Sequence, residues 1–360
     1  MRRLEAWQLG RVEYEDGLAM QHAFLRALER GVAPDTLLLL EHPPVLTLGR
    51  AGKRENIVAS PAELAAVGAE VFDTDRGGDV TYHGPGQVVG YPIFDLNHRQ
   101  DVRRYVRDVE EAIVRTLSRY GIAAAHIAKW PGVWVRPDSP RPEKIAAIGV
   151  HIARWRTSHG FALNVATDLS HFGLIVPCGI REGGVTSIER ELGRKVPIGE
   201  VEQALAGSFA GVFGSELSLG RPAQGSVSVA VVRHDPDGPR LLLLRRREDR
   251  GGFWQIVTGR IEAGEPAEAA AAREVAEETG QPLSVVPLGY RHAFALGDAD
   301  PPALCEETAF AARWEGDPTV RLDPREHQAF EWARPDEALA RLAFPGLKVA
   351  ARLALAALGR

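Results

Sequence analysis

A chain of 360 residues exceeds what one compact core usually holds, so two domains are expected. Its 45% hydrophobic and 25% charged residues are those of an ordinary soluble globular protein. A net charge of −5 argues against a surface built for nucleic acid, which would be basic.

From the N-terminus, Met1-Arg2-Arg3 has no apolar stretch behind it and does not read as a secretory signal. The runs Leu37 to Leu40 and Leu241 to Leu244 suit buried strands and are too short to span a bilayer. A cytoplasmic protein without a membrane partner is expected. A structural disulfide between Cys178 and Cys305 is not expected in such a chain.

The stretch Arg76 to Gln87, RGGDVTYHGPGQ, holds four glycines and a proline, which exclude a helix interior and allow the backbone close to a ligand. A plain glycine-rich turn between strands has the same composition. Pro137 to Pro142 reads as an exposed loop. After it, Lys144 enters the apolar, strand-like run Ile145 to Val150, where it is either a snorkelling surface lysine or a cation with a task. Cys178 follows the apolar segment Phe172 to Val176. A lone cysteine is commonly a small buried hydrophobe, whereas a reactive one needs partial exposure and a nearby cation. Helical spacing over Ile198 to Phe213 closes the first domain, and residues 214–225, rich in Gly, Ser and Pro, read as a linker.

The second domain begins with a strand over Val227 to Val232. Pro266, the alanine-rich stretch and Gly280 frame a helix on which Glu274, Glu277 and Glu278 fall at i, i+3 and i+4. Like charges so placed repel by roughly a few tenths of a kcal/mol per pair. A hard divalent cation would reverse the sign. A solvated acidic face is the alternative reading. Cys305 reads as a strand residue without chemistry.

Four motifs in order make residues 1–213 resemble the octanoyl-(acyl-carrier-protein):protein octanoyltransferase family of lipoate synthesis. They are Glu41 to Gly49 (EHPPVLTLG), Arg76 to Gln87, Lys144 to Gly149, and Pro177 to Ser187. The resemblance implies an α/β (α+β) mixed-sheet domain like the catalytic domain of biotin and lipoate ligases. It implies Cys178 as the nucleophile that carries the octanoyl group. Lys144 would lower the thiol pKa and later take a proton from the attacking amine. The acyl site would be lined by Arg76, Gly77, Gly78, Asp79, Val80, Thr81, Tyr82, His83, Ala147, Ile148, Gly149, Gly160, Phe161 and Ala162. Octanoyl acyl carrier protein as donor, apo lipoyl domains of 2-oxoacid dehydrogenases or the glycine cleavage H protein as acceptors, and no cofactor complete this expectation. An ATP-dependent lipoate or biotin ligase on the same fold is the rival.

Gly259 to Gly280 resembles the Nudix box, lacking only the usual aliphatic residue, at Gln281. Residues 226–360 thus resemble an α/β/α Nudix sandwich. The resemblance implies Mg²⁺ bound by Glu274, Glu277 and Glu278, with Glu326 as the base or a further ligand, and Glu265 with Arg273 orienting the helix. Arg245, Arg246 and Arg247 are placed to steer an anionic, nucleotide-like diphosphate to be hydrolysed. A Nudix module that senses a nucleotide without cleaving it is the rival here.

Overall fold

The computed structural model describes residues 2–128, 130–176, 184–296 and 302–359. The chain divides into two compact units, the first running to Arg221 and the second comprising 222–296 and 303–360.

The first unit runs β1 (Arg2–Arg11), α1 (Tyr14–Arg30), β2 (Asp35–Glu41), β3 (Val45–Leu48), α2 (Pro61–Val67), β4 (Glu70–Asp73), β5 (Val80–His83) and β6 (Gln87–Ile93). It continues through α3 (Val102–Ser118), β7 (Ala124–Ile127), β8 (Trp130–Val135), β9 (Glu143–Ala153), β10 (Arg156–Asn164), β11 (Gly184–Val185), α4 (Ile188–Leu192), α5 (Ile198–Phe213) and β12 (Ser215–Leu219). Its main sheet is ordered β12-β1-β2-β6-β10-β9-β8-β7 with β11 beside β9, and a small sheet is ordered β4-β3-β5. β2 and β6 lie inside this order and are buried along almost their whole length, which explains their near-continuous apolar runs. The amphipathic helices α3 and α5 cover one face, where Val109, Ile113, Leu117, Leu205 and Phe209 pack on Leu37, Leu39 and Val88. Capping follows the sequence. Asp101 accepts from Arg104 N at 2.9 Å at the start of α3, and Ser60 and Glu63 form a capping box on α2.

The linker reading of residues 214–225 needs correcting. Ser215–Leu219 pairs in parallel with β1, Arg2 to Ala6, and extends the first sheet. Strand geometry won over composition there because β1 offered an open edge.

The second unit comprises β13 (Gln224–Asp235), β14 (Gly238–Arg246), β15 (Trp254–Gln255), β16 (Val257–Arg260), α6 (Ala267–Thr279), β17 (Val285–Ala295), β18 (Leu304–Arg313), β19 (His327–Ala333), α7 (Pro335–Arg341) and α8 (Pro345–Leu358). Its sheet follows β15-β14-β13-β18-β17, with β16 on β13 and β19 on β14. Alternation along β13 sends Val227, Val229 and Val231 toward α6, and Ala230 and Val232 toward α8. Helices on both faces make an α/β/α sandwich. No helix among the described residues is long and apolar enough to cross a membrane.

One close approach in the first unit is testable. A Cβ on Gly160 would stand 2.1 Å from the Gly90 carbonyl oxygen, so β10 and β6 cannot accept a side chain there. Gly160→Ala is expected to cost about 1–3 kcal/mol, read as faster amide hydrogen exchange along β10. Unchanged exchange would show that the two strands separate freely.

Candidate active sites

In the first unit a cavity of about 320 Å³ opens between the glycine loop, β5, β6, β9 and β10. Lys144 lines it, as do Arg76, Gly77, Gly78, Asp79, Val80, Thr81, His83, Ala147, Ile148, Gly149, Gly160, Phe161 and Ala162. Tyr82 does not. Alternation along β5 turns it into a satellite core with Leu46, Leu48, Val80 and Ile175, and its hydroxyl lies 2.7 Å from His171 Nδ1. Cys178 lies outside the described residues. The next residues described after it, Gly184 and Val185, pair in parallel with Glu143 and Lys144.

Lys144 projects from β9 with its Nζ 4.7 Å from the centre of the Trp134 ring, a cation–π distance. Arg76 is buried, and its guanidinium donates to Thr47 O at 2.5 Å and to Thr47 Oγ1. The arginine therefore ties the glycine loop to β3. Gly77 N donates to Val150 O at 2.9 Å, which holds the same loop against β9.

His83 is set by a chain of amides. Gln87 Nε2 donates to Tyr82 O and, at 2.9 Å, to Asn164 Oδ1, while Asn164 Nδ2 donates to Thr186 O at 3.0 Å. Gln87 Oε1 is left to accept from His83 Nδ1 at 2.8 Å, so the neutral ring presents an unprotonated Nε2. Burial, with His42 close by, pushes the His83 pKa down to about 3, and the ring stays uncharged. Thr186 N donates to Lys144 O, so this network ends on the strand that carries the lysine.

Sequence reasoning missed five further rings. Tyr14, Tyr91, Trp134 and His159 line the cavity, from α1, β6, β8 and β10, and Phe172 lines it from the segment 169–174. His159 has a left-handed φ of 55°, with its N–H held by Gln21 Oε1 at 2.7 Å and its Nε2 donating to Asp75 Oδ1 at 2.7 Å. Nothing in a linear pattern brings these elements together, although His159 directly precedes the expected Gly160.

Behind the cavity, Glu41 Oε2 accepts from Gly86 N at 2.6 Å and so fixes the HGPGQ turn. Glu202 on α5 is 4% exposed, and its Oε1 has no hydrogen-bond partner. Burial, and then Glu41, push its pKa from 4.5 to about 8.

In the second unit, α6 ends at Gly280, whose N–H donates to Ala276 O with φ at 76°. Arg273 grips Glu265 through two hydrogen bonds of 3.0 Å, and donates to Glu274 at 2.7 Å, Glu277 at 3.3 Å and Arg260 O at 2.8 Å. Gly259 leaves room for Glu274, since a Cβ there would lie 1.7 Å from its carboxyl carbon. Glu278 is 4% exposed and its Oε2 has no hydrogen-bond partner. Burial, then Glu274 and Glu326, raise the Glu278 pKa well above the carboxylate range, and burial raises that of Glu274.

Among the described residues no three acidic, histidine or cysteine groups stand at metal-binding distances. The residues nonetheless suit a hard cation. A buried carboxylate oxygen without a partner, beside other carboxyls that repel it, is the donor set such an ion satisfies. Glu326 pairs with Arg246 at 2.6 Å and Arg250 at 3.4 Å. Of the three arginines expected to steer substrate, Arg246 faces Glu326, whereas Arg245 and Arg247 pair locally with Glu248 and Asp249. Cys305 is buried and donates to Ser226 Oγ at 3.2 Å.

Residues 13–210 match the model of the lipoyl protein ligase A/B catalytic domain, and residues 225–353 that of the NUDIX domain. An octanoyltransferase of Myxococcus xanthus is 59% identical over 99% of this chain and 100% of its own length. An octanoyltransferase of Chloroflexus aggregans is 51% identical over 59% of this chain and 96% of its own. The solved E. coli dihydroneopterin triphosphate pyrophosphohydrolase is 26% identical over 37% of this chain and 96% of its own, with a TM-score of 0.33.

The Glu202 shift carries a sign. Between pH 4.5 and about 8 the folded chain keeps a proton that the unfolded chain has released, so stability falls as pH rises through this window. Glu202→Gln is expected to flatten that slope in denaturant titrations at pH 5, 6.5 and 8. An unchanged slope would remove Glu202 as its source.

Proposed function

The chain belongs to the octanoyltransferase family and carries a Nudix hydrolase domain behind the transferase, and from that premise we propose that Cys178 and Lys144 move an octanoyl group from acyl carrier protein to a lysine of apo lipoyl domains. The observation that carries this reading is the cavity, which gathers Lys144, the glycine loop and the β9–β10 glycines around one mostly apolar space.

The steps balance without ATP. The Cys178 thiolate attacks the carrier thioester carbonyl, the carrier leaves as a thiol with a proton from the Lys144 ammonium, and the acyl group rests on sulfur. The acceptor lysine amine then attacks that carbonyl, an amide forms, and the cysteine thiolate is released. Splitting the transfer this way divides one difficult step into two moderate ones. Lys144 as an ammonium favours the thiolate, and as a free amine it takes the proton from the attacking lysine. Its placement over Trp134 keeps the charge at the cavity wall.

In the second domain we read hydrolysis of a nucleotide-like diphosphate. Glu274, Glu277 and Glu278 would hold Mg²⁺, which when bound neutralises diphosphate charge and makes water a better nucleophile. Arg273 orients Glu274 and Glu277, Gly259 clears the space Glu274 occupies, and Glu326 accepts a proton from water at the cleft that it shares with Arg246.

Mixing the full chain with octanoyl carrier protein is expected to add one octanoyl mass to the peptide containing Cys178. Cys178→Ser should lower transfer by a factor on the order of 10³ or more, and Lys144→Met by about 10²–10⁴. Full activity of Cys178→Ser, with ATP required, would instead establish a ligase. For the second domain, Mg²⁺-dependent release of phosphate or pyrophosphate from a nucleotide panel is expected to fall at least about 100-fold in Glu277→Gln. Nucleotide binding without release by the unaltered chain would establish a sensor.

A further inference from the structure

The EHPP segment contributes one residue to the first unit that does not touch the cavity yet contacts the rings that close it. His42, directly after β2, is fully buried. Its Nδ1 lies 2.6 Å from Val12 O, and a carbonyl only accepts, so that nitrogen carries the proton. Its Nε2 therefore accepts the Tyr91 hydroxyl proton at 2.7 Å. Burial pushes the His42 pKa down to about 4, which keeps this arrangement neutral. Three cavity-lining rings surround it, with centres 5.2 Å away for Tyr14, 5.9 Å for Tyr91 and 6.0 Å for His83. Tyr91 in turn meets His159 edge-on at 6.4 Å.

Of the rings linked in this way, Tyr91 and His159 stand toward the end of the cavity away from the lysine. His159 pairs with Val150 on β9, six residues from Lys144, or about 20 Å at the rise of an extended strand. An extended eight-carbon chain spans roughly 10 Å with C–C bonds near 1.5 Å. The lysine side chain and the acyl group together can fill that distance.

We propose that His42 is a specificity-determining residue, which positions Tyr91 and Tyr14 as the end wall of the acyl cavity and so sets the chain length transferred. This rests on reading the cavity as the acyl site.

The structure supplies a way to move the wall in each direction. Gly17 on α1 faces the hub from behind, and a Cβ there would stand 2.9 Å from His42 Cε1 and 3.7 Å from Tyr91 Cε2. Gly17 lies within a helix, where alanine is well accommodated. Gly17→Ala therefore pushes the imidazole toward the cavity and shortens it. His42→Ala removes the hub, frees Tyr91 from its acceptor and deepens it.

The test is a competition. The full chain is given equal amounts of carrier protein loaded with hexanoyl, octanoyl and decanoyl groups, with one apo lipoyl domain as acceptor, and products are resolved by mass. The hexanoyl-to-octanoyl product ratio is expected to rise roughly tenfold in Gly17→Ala, and the decanoyl-to-octanoyl ratio roughly tenfold in His42→Ala, since pocket fit discriminates at about this level. A merely structural role would lower total turnover and leave the ratios alone, which would overturn the proposal, as would a shift in the same direction in both variants. Should His42→Ala fail to fold, the Gly17→Ala ratio decides. No transfer of any chain by the unaltered protein would overturn the functional reading itself, a result distinct from unchanged ratios in an active enzyme.

Discussion

Where polar side chains wall a mostly apolar cavity, each of them has to find its partner within the protein. The first unit meets this constraint with the relay from His83 through Gln87 and Asn164 to Thr186 O. Left unsatisfied, each such group would cost about 1–3 kcal/mol. Satisfied, the relay decides the His83 tautomer, joins the HGPGQ turn to β10, and reaches the strand pair that carries Lys144. The neutral states of His83 and His42 follow from the same burial that makes the space apolar. Rigidity and neutrality thus have one cause.

The second unit solves the reverse problem. Its helix α6 gathers carboxyls that repel one another, and they are compensated by Arg273 at one side and by Arg246 and Arg250 beside Glu326. Arg273 bonds Glu265, Glu274 and Glu277, one positive charge against three carboxyls. It leaves Glu278 inside, with an oxygen that meets no donor. That residual strain is what distinguishes this helix from an ordinary solvated acidic face, on which every carboxylate would reach water.

Much of this was legible in the sequence where local chemistry determines the outcome. The helix at Ile198–Phe213 and the span from Pro266 to Gly280 follow from apolar spacing and from proline and glycine punctuation. Lys144 and the β9–β10 glycines line one cavity because β9 and β10 are adjacent in the sheet, and the glycine loop joins them where Gly77 N donates to Val150 O. Two things were not legible. Residues 215–219 look like a linker, since a parallel partner more than 200 residues upstream leaves no trace in local composition. Tyr82 looks like a site residue because its neighbours are, and only the pleat of β5 turns it into the core.

The rings of Tyr14, Tyr91 and His159 were invisible for a related reason. Each is an ordinary buried aromatic on its own element, and only the arrangement of α1, β6 and β10 around His42 gives them a common purpose. A histidine followed by two prolines gives no sign of this in sequence. In the fold it is the one group that can accept the Tyr91 hydroxyl while donating to Val12, and no apolar side chain of the same size could do both. The same logic separates the two reactions. The first cavity is mostly apolar with Lys144 and Arg76 at its wall, whereas the second unit gathers carboxyls around a buried oxygen that meets no donor. The two sets of residues lie in different units, so each can be altered on its own.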